Sequence, residues 1–212
     1  TVDRFSNDIL ENAPPASQIK SIEVNGRLLE GYDRFSISES KVIDDQITEI
    51  SPDIAVCPDC LNDMMTDPDR IDYAFTNCTN CGPRFTIIEE LPYDRINTSM
   101  KNFRMCEKCG SEYGDILDRR FHAQPVACNK CGPAYLFTGP EGSLDKIDEI
   151  LKAIVLHVAS GRTVAIKGMG GYHLMCDPFN HNAVKELRRR KQRDQKPFAV
   201  MFRDISSLRE YC

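Results

Sequence analysis

Apolar residues recur at helical spacing in the last third of the chain. They occupy positions 147, 150, 151, 154, 155 and 158, which predicts a helix of about 16 residues that Ser143 caps and Gly161 ends. The basic stretch 182–193 predicts a second helix. Short apolar runs predict strands at 163–166, 172–176 and 198–202. Helices and strands in this order are typical of an α/β unit.

The first 45 residues carry weaker patterns. A short helix is predicted at 4–11. Alternating apolar and polar residues predict strands at 19–24 and 35–38, with a turn at Asn25-Gly26 between them. We interpret 1–45 as the tail of another domain or as a linker that adds strands to a neighbouring domain.

Cysteine is the residue whose number is unusual, with ten among 212 residues. Eight of them form four Cys-x-x-Cys pairs separated by 17, 24 and 18 residues, while Cys176 and Cys212 stand apart. A Cys-x-x-Cys turn presents two thiolates to one metal ion, and a second pair about 15 to 20 residues on completes a tetrahedral zinc site. The spacing predicts two structural Zn²⁺ ions held by Cys57, Cys60, Cys78, Cys81, Cys106, Cys109, Cys128 and Cys131.

An internal repeat accompanies the cysteines, since CTNCGP at 78–83 returns as CNKCGP at 128–133. Sequential grouping of the pairs is favoured over a nested arrangement because it closes shorter loops. Gly82 and Gly132 are expected to take the positive φ that turns backbone N–H groups toward a thiolate. Disulfides and a thioredoxin-like redox pair are the alternatives. Disulfides are disfavoured because no export signal precedes the pairs and the chain exceeds the usual disulfide-stapled size.

Composition and charge restrict the class of protein. With 41% hydrophobic and 28% charged residues the chain is expected to fold, and no apolar run approaches the roughly 20 residues of a membrane span. The net charge is −5, and 57–131 holds nine basic against twelve acidic residues, which opposes phosphate binding there. Four thiolates leave no open position on a metal, so both ions are expected to be structural. His122 is therefore interpreted as a packed or capping histidine.

The segment 161–203 has the opposite charge, with ten basic residues against three acidic ones. Its KGMGG loop at 167–171 follows a predicted strand but lacks the spacing of the P-loop and of the dinucleotide fingerprint. The cations suit an anionic small molecule. A solvated helix face is an equally good interpretation.

Six stretches of the chain match a known family. They are ISPDIAVCPDC at 50–60, FTNCTNCGPRFTI at 75–87, LPYDR at 91–95, RRFHAQP at 119–125, AIKGMGGYHL at 165–174 and KPFAVM at 196–201. In these stretches the chain resembles the HypF carbamoyltransferases of NiFe-hydrogenase maturation. The resemblance implies an α+β chain in which two four-cysteine zinc-knuckle modules precede a truncated YrdC-like α/β domain.

The same resemblance implies a division into domains. Residues 1–45 would be a linker following an absent acylphosphatase domain. Residues 46–138 would be the double zinc-finger region with four cysteine ligands per site, and 143–212 the N-terminal part of a YrdC-like nucleotide-binding domain. The family's C-terminal carbamoyl-transfer domain has no counterpart in the chain.

The resemblance further implies that the parent protein uses ATP, with Mg²⁺, and carbamoyl phosphate to form carbamoyl adenylate. The carbamoyl group then passes to the C-terminal cysteine of a HypE-type partner and becomes the cyanide ligand of the hydrogenase iron. Lys191 and Arg193 match the family's Lys-x-Arg element, which would hold phosphates. Lys167, Tyr172 and His173 would line the adenylate pocket.

The chain by itself is expected to be inactive, because pocket walls and a transfer site come from other parts of the family's architecture. A cytoplasmic location is expected, with no membrane association. Two other functions stay open. One is a zinc-organised module that binds nucleic acid through the helix at 185–196, which the acidic zinc region opposes. The other is a chaperone-like zinc adaptor that only docks HypE.

Overall fold

A computed structural model of the chain describes residues 2–13, 17, 19–28, 31 and 51–212. The chain divides into two compact units, Thr1–Ala134 and Tyr135–Cys212, called here the first unit and the second unit. The stretch 139–142 is the turn of a hairpin inside the second unit. The domain ranges given above remain predictions.

Short helices and two-stranded hairpins are the regular elements of the described residues. The helices are α1 Val2–Glu11, α2 Pro58–Thr66, α3 Glu107–Gly114, α4 Ile147–Ala159, α5 His181–Lys191 and α6 Ile205–Arg209. Single 3₁₀ turns lie at Phe85–Ile87, Arg95–Asn97 and Ser99–Asn102. The strands are β1 Phe137–Gly139, β2 Gly142–Leu144, β3 Val164–Lys167 and β4 Tyr172–Met175.

Helices α2 and α3 of the first unit begin at cysteine pairs. Cys57 is the N-cap residue of α2, and Pro58 follows at the first helical position, where its fixed φ suits a helix start. Cys106 is likewise the N-cap residue of α3. The second cysteine of each pair, Cys60 or Cys109, therefore lies in the first turn of its helix and is buried.

The apolar core of the first unit is small. Tyr73, Ile87, Met100 and Ala127 form one buried cluster, and the cysteines around Cys60 form another. Polar side chains are buried with them, namely Arg70, Thr76, Asn77, Arg84, Thr98, Arg120 and Gln124. Hydrogen bonds of these buried polar groups therefore help to hold the loops of the first unit together, in place of extended sheets or long helices.

The second unit has the α/β order predicted for it. β1 pairs antiparallel with β2, and β3 pairs antiparallel with β4. Helix α5 agrees with the helix predicted at 182–193. Helix α4 starts later than predicted, with Lys146 as N-cap residue, because Ser143 pairs with Thr138 in the first hairpin. Gly161 follows the end of α4 with φ +78°.

Two predicted strands are wrong. Residues 198–202 form no strand, since no described segment pairs with them. Residues 19–24 are exposed and form no strand, since no described segment pairs with them. The strand predicted at 35–38 lies outside the described residues. None of the described helices is long and apolar enough to cross a membrane.

Candidate metal centres

The eight paired cysteines meet in two groups of four. Cys57, Cys60, Cys78 and Cys81 form the first cluster, and Cys106, Cys109, Cys128 and Cys131 form the second cluster. Within each cluster the Sγ atoms all lie within 4.8 Å of one another. The grouping is sequential, as the shorter loop closure favoured.

The sulfur geometry fits zinc and excludes disulfides. The distances between Sγ atoms are 3.8 Å for Cys57 and Cys78, 3.7 Å for Cys78 and Cys81, and 3.7 Å for Cys109 and Cys131. Sulfurs about 2.3 Å from a tetrahedral zinc lie about 3.8 Å apart. A disulfide would need about 2.05 Å, and all ten cysteines are free. Both clusters therefore fit structural zinc binding, with all four positions filled by protein.

The second pair of each cluster sits on a tight turn whose backbone faces the sulfur. Asn80 N–H points at Cys78 Sγ and Lys130 N–H points at Cys128 Sγ, each at 3.4 Å. Such N–H groups stabilise thiolate charge. The backbone N–H groups that face sulfur therefore belong to Asn80 and Lys130, two positions after Cys78 and Cys128, and not to the glycines of the CGP repeats.

The two glycines of the CGP repeats have different roles. Gly82 has φ +100°, as predicted, and its N–H donates to Ile54 O. Gly132 does not have a positive φ, so that expectation is wrong for it. A Cβ at Gly132 would overlap the hydroxyl of Tyr73 and lie 2.6 Å from Ala127 Cβ. Close packing therefore requires glycine at 132.

Hydrogen bonding and burial set the protonation of the metal-free thiols. The bond that Cys60 donates to Cys78, together with burial, raises the pKa of the Cys60 thiol. Accepting that bond lowers the pKa of the Cys78 thiol. Burial raises the pKa of Cys109 in the second cluster. Protons held by such thiols must leave when a metal binds.

Arginines lie against both clusters. Residues 67–72 after α2 and 115–122 after α3 are called here the first arm and the second arm. Arg70 of the first arm directs Nη2 at Cys109 Sγ at 3.6 Å, and Arg119 of the second arm donates from Nη1 to Cys60 Sγ at 3.0 Å. The sequence patterns predicted neither Arg70 nor Arg119 as a neighbour of a metal-binding cysteine.

A signal for these arginines exists in the sequence. Arg70 and Arg119 each come 13 residues after the first cysteine of their cluster, Cys57 or Cys106. His122 is exposed, stacks on the Tyr113 ring at 4.8 Å between centroids and lies outside both clusters. Its ring therefore packs against Tyr113 at the surface and not in the core.

The residues predicted to contact nucleotide lie in the second unit. Lys167 pairs with Tyr172 and Ile166 with His173 across the β3–β4 hairpin. Lys167, Tyr172 and His173 are all exposed. The imidazole of His173 lies beside the turn, because a Cβ at Gly168 would be 3.2 Å from His173 Nε2. The hairpin therefore brings three of the five predicted residues together.

The other two predicted residues lie at the end of α5. Lys191 is the last residue of the helix and is exposed. Arg193 is half-buried, donates from Nη2 to Pro197 O at 3.1 Å and lies over the Phe198 ring at 5.4 Å. Arg189 and Arg190 bond Glu186, which lowers the pKa of that carboxyl to about 2. Lys191 is thus a freer cation than its neighbours.

Two family models match the chain. The model described as HypF finger matches residues 56–88 and 105–138, each of which contains one cysteine cluster. The Sua5/YciO/YrdC model, described as Telomere recombination, matches residues 157–212. The fold class is therefore confirmed: α+β, with two four-cysteine modules followed by a YrdC-like segment.

Individual proteins match almost the whole chain. The carbamoyltransferase HypF of Rhodobacter capsulatus is 42% identical over 201 residues, which are 94% of this chain and 27% of that protein. The crystal structure of full-length HypF in the phosphate- and nucleotide-bound form matches with a TM-score of 0.89 and 46% identity, over 100% of this chain and 28% of the other. For T. kodakarensis HypF the TM-score is 0.84, with 47% identity over 99% of this chain and 26% of the other.

The chain spans about a quarter of the length of these relatives. Its two finger modules and the segment after them follow one another in the order that the family models match. The chain therefore belongs to the HypF family, of which it represents the double zinc-finger region and the YrdC-like segment that follows.

Proposed function

We propose that the protein to which this chain belongs is an ATP-dependent carbamoyltransferase of hydrogenase maturation. It uses ATP, with Mg²⁺, and carbamoyl phosphate to form carbamoyl adenylate. It then passes the carbamoyl group to the C-terminal cysteine of a HypE-type protein in the cytoplasm. In this proposal the two clusters bind Zn²⁺ as structural ions, through Cys57, Cys60, Cys78, Cys81, Cys106, Cys109, Cys128 and Cys131.

The observation that carries the proposal is the identity of 42% over 94% of the chain with a carbamoyltransferase HypF. A structural match whose described form holds phosphate and nucleotide supports a nucleotide-dependent reaction. The finger region supplies scaffold in this proposal. A four-thiolate site has no open position at which a metal could act on substrate.

The cations of the second unit are the groups that we propose to contact nucleotide. Lys191 and Lys167 are exposed at the end of α5 and at the end of β3. Arg193 is held by Pro197 O and by the Phe198 ring, so its guanidinium is kept in one place. A preorganised cation stabilises phosphate charge without the cost of ordering a free side chain. Tyr172 and His173 would border the same pocket from the hairpin.

We propose that the 212 residues alone do not catalyse the reaction. The cations named above are half-buried or exposed, whereas a water-labile adenylate needs a closed site. The adaptor function remains the second candidate. It is the less favoured of the two, because the relatives that match the chain are named carbamoyltransferases.

The experiment is exchange of labelled pyrophosphate into ATP, driven by carbamoyl phosphate, in the longer protein that contains this chain. Lys191→Ala and Arg193→Ala are expected to lower the exchange rate by about 10-fold or more if each cation holds phosphate in the transition state. Arg190→Ala is the matched control, since it removes a cation from the same helix end that is already bonded to Glu186.

Equal exchange in Lys191→Ala, Arg193→Ala and the control would contradict the assignment of both residues. Transfer is read separately, as labelled carbamoyl on HypE, with HypE lacking its terminal cysteine as the control. Binding of HypE that does not depend on nucleotide, with no exchange at all, would favour the adaptor function.

A further inference from the structure

The two clusters exchange arginines. Arg70 comes from the first arm, which continues from α2 and the first cluster, but its guanidinium approaches Cys109 of the second cluster. Arg119 comes from the second arm and approaches Cys60 of the first cluster. Each cluster therefore receives a cation from the arm that belongs to the other cluster.

Carboxylates hold these arginines in the same reciprocal way. Glu112 of α3 accepts bonds from Arg70, one of them 3.0 Å from Nη1 to Oε1. Asp63 of α2 accepts from Arg119 and from Arg120. Asp63 and Glu112 are equivalent positions, six residues after the first cysteine of each cluster. Arg70 has no exposed surface, and its charge is compensated by Glu112 and by Asp67, whose Oδ2 is 2.7 Å from Nη1.

The backbone repeats the exchange. Thr79, in the metal-binding turn of the first cluster, donates its N–H to Arg119 O of the second arm at 3.1 Å. Asn129, fifty residues later in the turn of the second cluster, donates its N–H to Asp69 O of the first arm at 3.0 Å. The side chains follow, since Thr79 Oγ1 donates to Phe121 O and Asn129 Nδ2 to Ile71 O, both at 2.9 Å. Each arm is thus fastened to the turn of the opposite cluster.

The negative charge of a zinc-loaded cluster explains why an arginine beside it favours metal binding. Four thiolates around one Zn²⁺ carry a net charge of −2, and the sulfurs of Cys60 and Cys109 are fully buried. A buried charge is costly unless it is compensated by nearby groups of opposite sign. The Arg119 guanidinium, 3.0 Å from Cys60 Sγ, is always protonated in proteins and so places a positive charge beside the first cluster.

We infer that the two metal sites load as a coupled pair, with Arg70 and Arg119 as the positioning residues that couple them. Metal at the first cluster orders α2 and the first arm, and this places Arg70 beside the second cluster. Metal at the second cluster orders α3 and the second arm, and this places Arg119 beside the first. Because coupling between two binding sites is reciprocal, either ion favours the other.

The first test uses the chain as it is. Metal-free protein is mixed with one equivalent of Zn²⁺ per chain, and native mass spectrometry counts chains with zero, one and two ions. Independent equal sites leave about half of the chains with one ion, and unequal independent sites leave more. Coupled loading is expected to give mainly metal-free and two-ion chains. One-ion chains at half or more of the total would overturn the inference.

The test also separates this inference from the zinc sites on which it rests. At excess Zn²⁺, two ions per chain are expected. Chains that never bind two ions would overturn the assignment of the clusters as zinc sites. Two ions at excess metal with abundant one-ion chains at one equivalent would overturn the coupling alone.

The second test compares two charge-removing variants across the same interface. Arg119→Gln removes a cation that touches a thiol, while Lys108→Gln removes one that joins α3 to Asp67 and Asp69 at 2.8 and 3.0 Å without touching sulfur. Residue-by-residue protection of cysteines from alkylation measures occupancy of each cluster as free Zn²⁺ is buffered downward.

Arg119→Gln is expected to weaken zinc binding at the first cluster by about 10- to 100-fold, the usual effect of losing a group that supports a metal ligand. Protection of Cys109 in the second cluster should fall at the same free zinc concentration. Lys108→Gln should leave both protections unchanged. Identical protection profiles for the two variants, or a loss in Arg119→Gln confined to the first cluster, would overturn the coupling. If a variant does not fold, the titration of the unsubstituted chain with one equivalent of Zn²⁺ still decides whether the sites are coupled.

Discussion

The arginines of the first unit and those of α5 share one chemistry and lie in opposite environments. In the first unit Arg70, Arg84 and Arg120 are buried, and each has several acceptors. On α5 Arg189 and Arg190 are largely exposed and share the single carboxylate of Glu186.

Different uses of cations follow from this difference. The first unit has few apolar side chains to bury, so guanidinium groups bind the carbonyls of irregular loops and hold them together. Arg95, for example, donates to Gln124 O, Val126 O and Phe103 O at 2.6 to 2.9 Å. Surface ion pairs such as those of α5 contribute little to stability, about 0 to 1 kcal/mol each. Arg189 and Arg190 therefore add little to the stability of the second unit, while the buried arginines of the first unit are structural.

Metal removal should cause the largest difference in stability between the two units. A zinc chelator at pH 7 is expected to abolish amide-exchange protection in 56–134, because the apolar core around Tyr73 and Met100 is too small to replace the metal ties. Protection in α4 and β3–β4 should persist. Hydrogen exchange read by mass spectrometry measures both units in one sample.

Acid should act as the chelator does. Metal-free thiols bind protons that the metal-bound thiolates lack, so zinc affinity falls as the pH falls. Protection of 56–134 that survives both chelation and acid would show that the first unit folds on its polar network alone.

Arg70→Met should have the next largest effect. It leaves Glu112 and Asp67 without their buried partner, and breaking a buried ion pair from one side costs about 3–5 kcal/mol. Urea unfolding of the zinc-loaded chain measures the loss in the first unit. Arg104→Met is the matched control, since Arg104 is exposed, and it should change stability by no more than about 0.5 kcal/mol. Equal midpoints for the two variants would refute the structural role of Arg70.

Gly132→Ala tests close packing beside the second cluster. The added methyl group would overlap the Tyr73 hydroxyl, and overpacking of this kind costs about 1–3 kcal/mol. Adding Tyr73→Phe should recover part of the loss, because it removes the clashing oxygen. Gly110→Ala, in α3 with open space around its Cβ position, should cause no loss. The prediction fails if Gly132→Ala and Gly110→Ala unfold alike.

The smallest effect is expected in the second unit. Asn180 Oδ1 accepts the N–H of Ala183 at the start of α5, and loss of such a cap costs about 1 kcal/mol. Asn180→Ala should therefore lower the thermal midpoint of the second unit by a few degrees. Asn182→Ala, on the exposed face of the same helix, is the control. A drop of equal size in both variants would contradict the capping role.

Sequence patterns predicted those elements that are determined by residues close together in the chain. The Cys-x-x-Cys spacing predicted the two sequential clusters, because ligand number and loop length restrict the choices. The basic stretch at 182–193 predicted α5, and the apolar runs on either side of the KGMGG loop predicted β3 and β4. The strand predicted at 198–202 failed because a strand needs a partner, and no local pattern shows whether one is present.

The sequence alone determined which residues gather into metal-binding groups and that the chain belongs to a family with two zinc fingers and a YrdC-like segment. It did so because cysteine spacing and family motifs are local patterns that can be recognised within short stretches of sequence. Only the tertiary structure decided that Gly132 is required by Tyr73 and that Arg70 and Arg119 serve the opposite clusters. Those facts depend on contacts between residues tens of positions apart, where close packing and buried charge, and not local propensity, choose the partner.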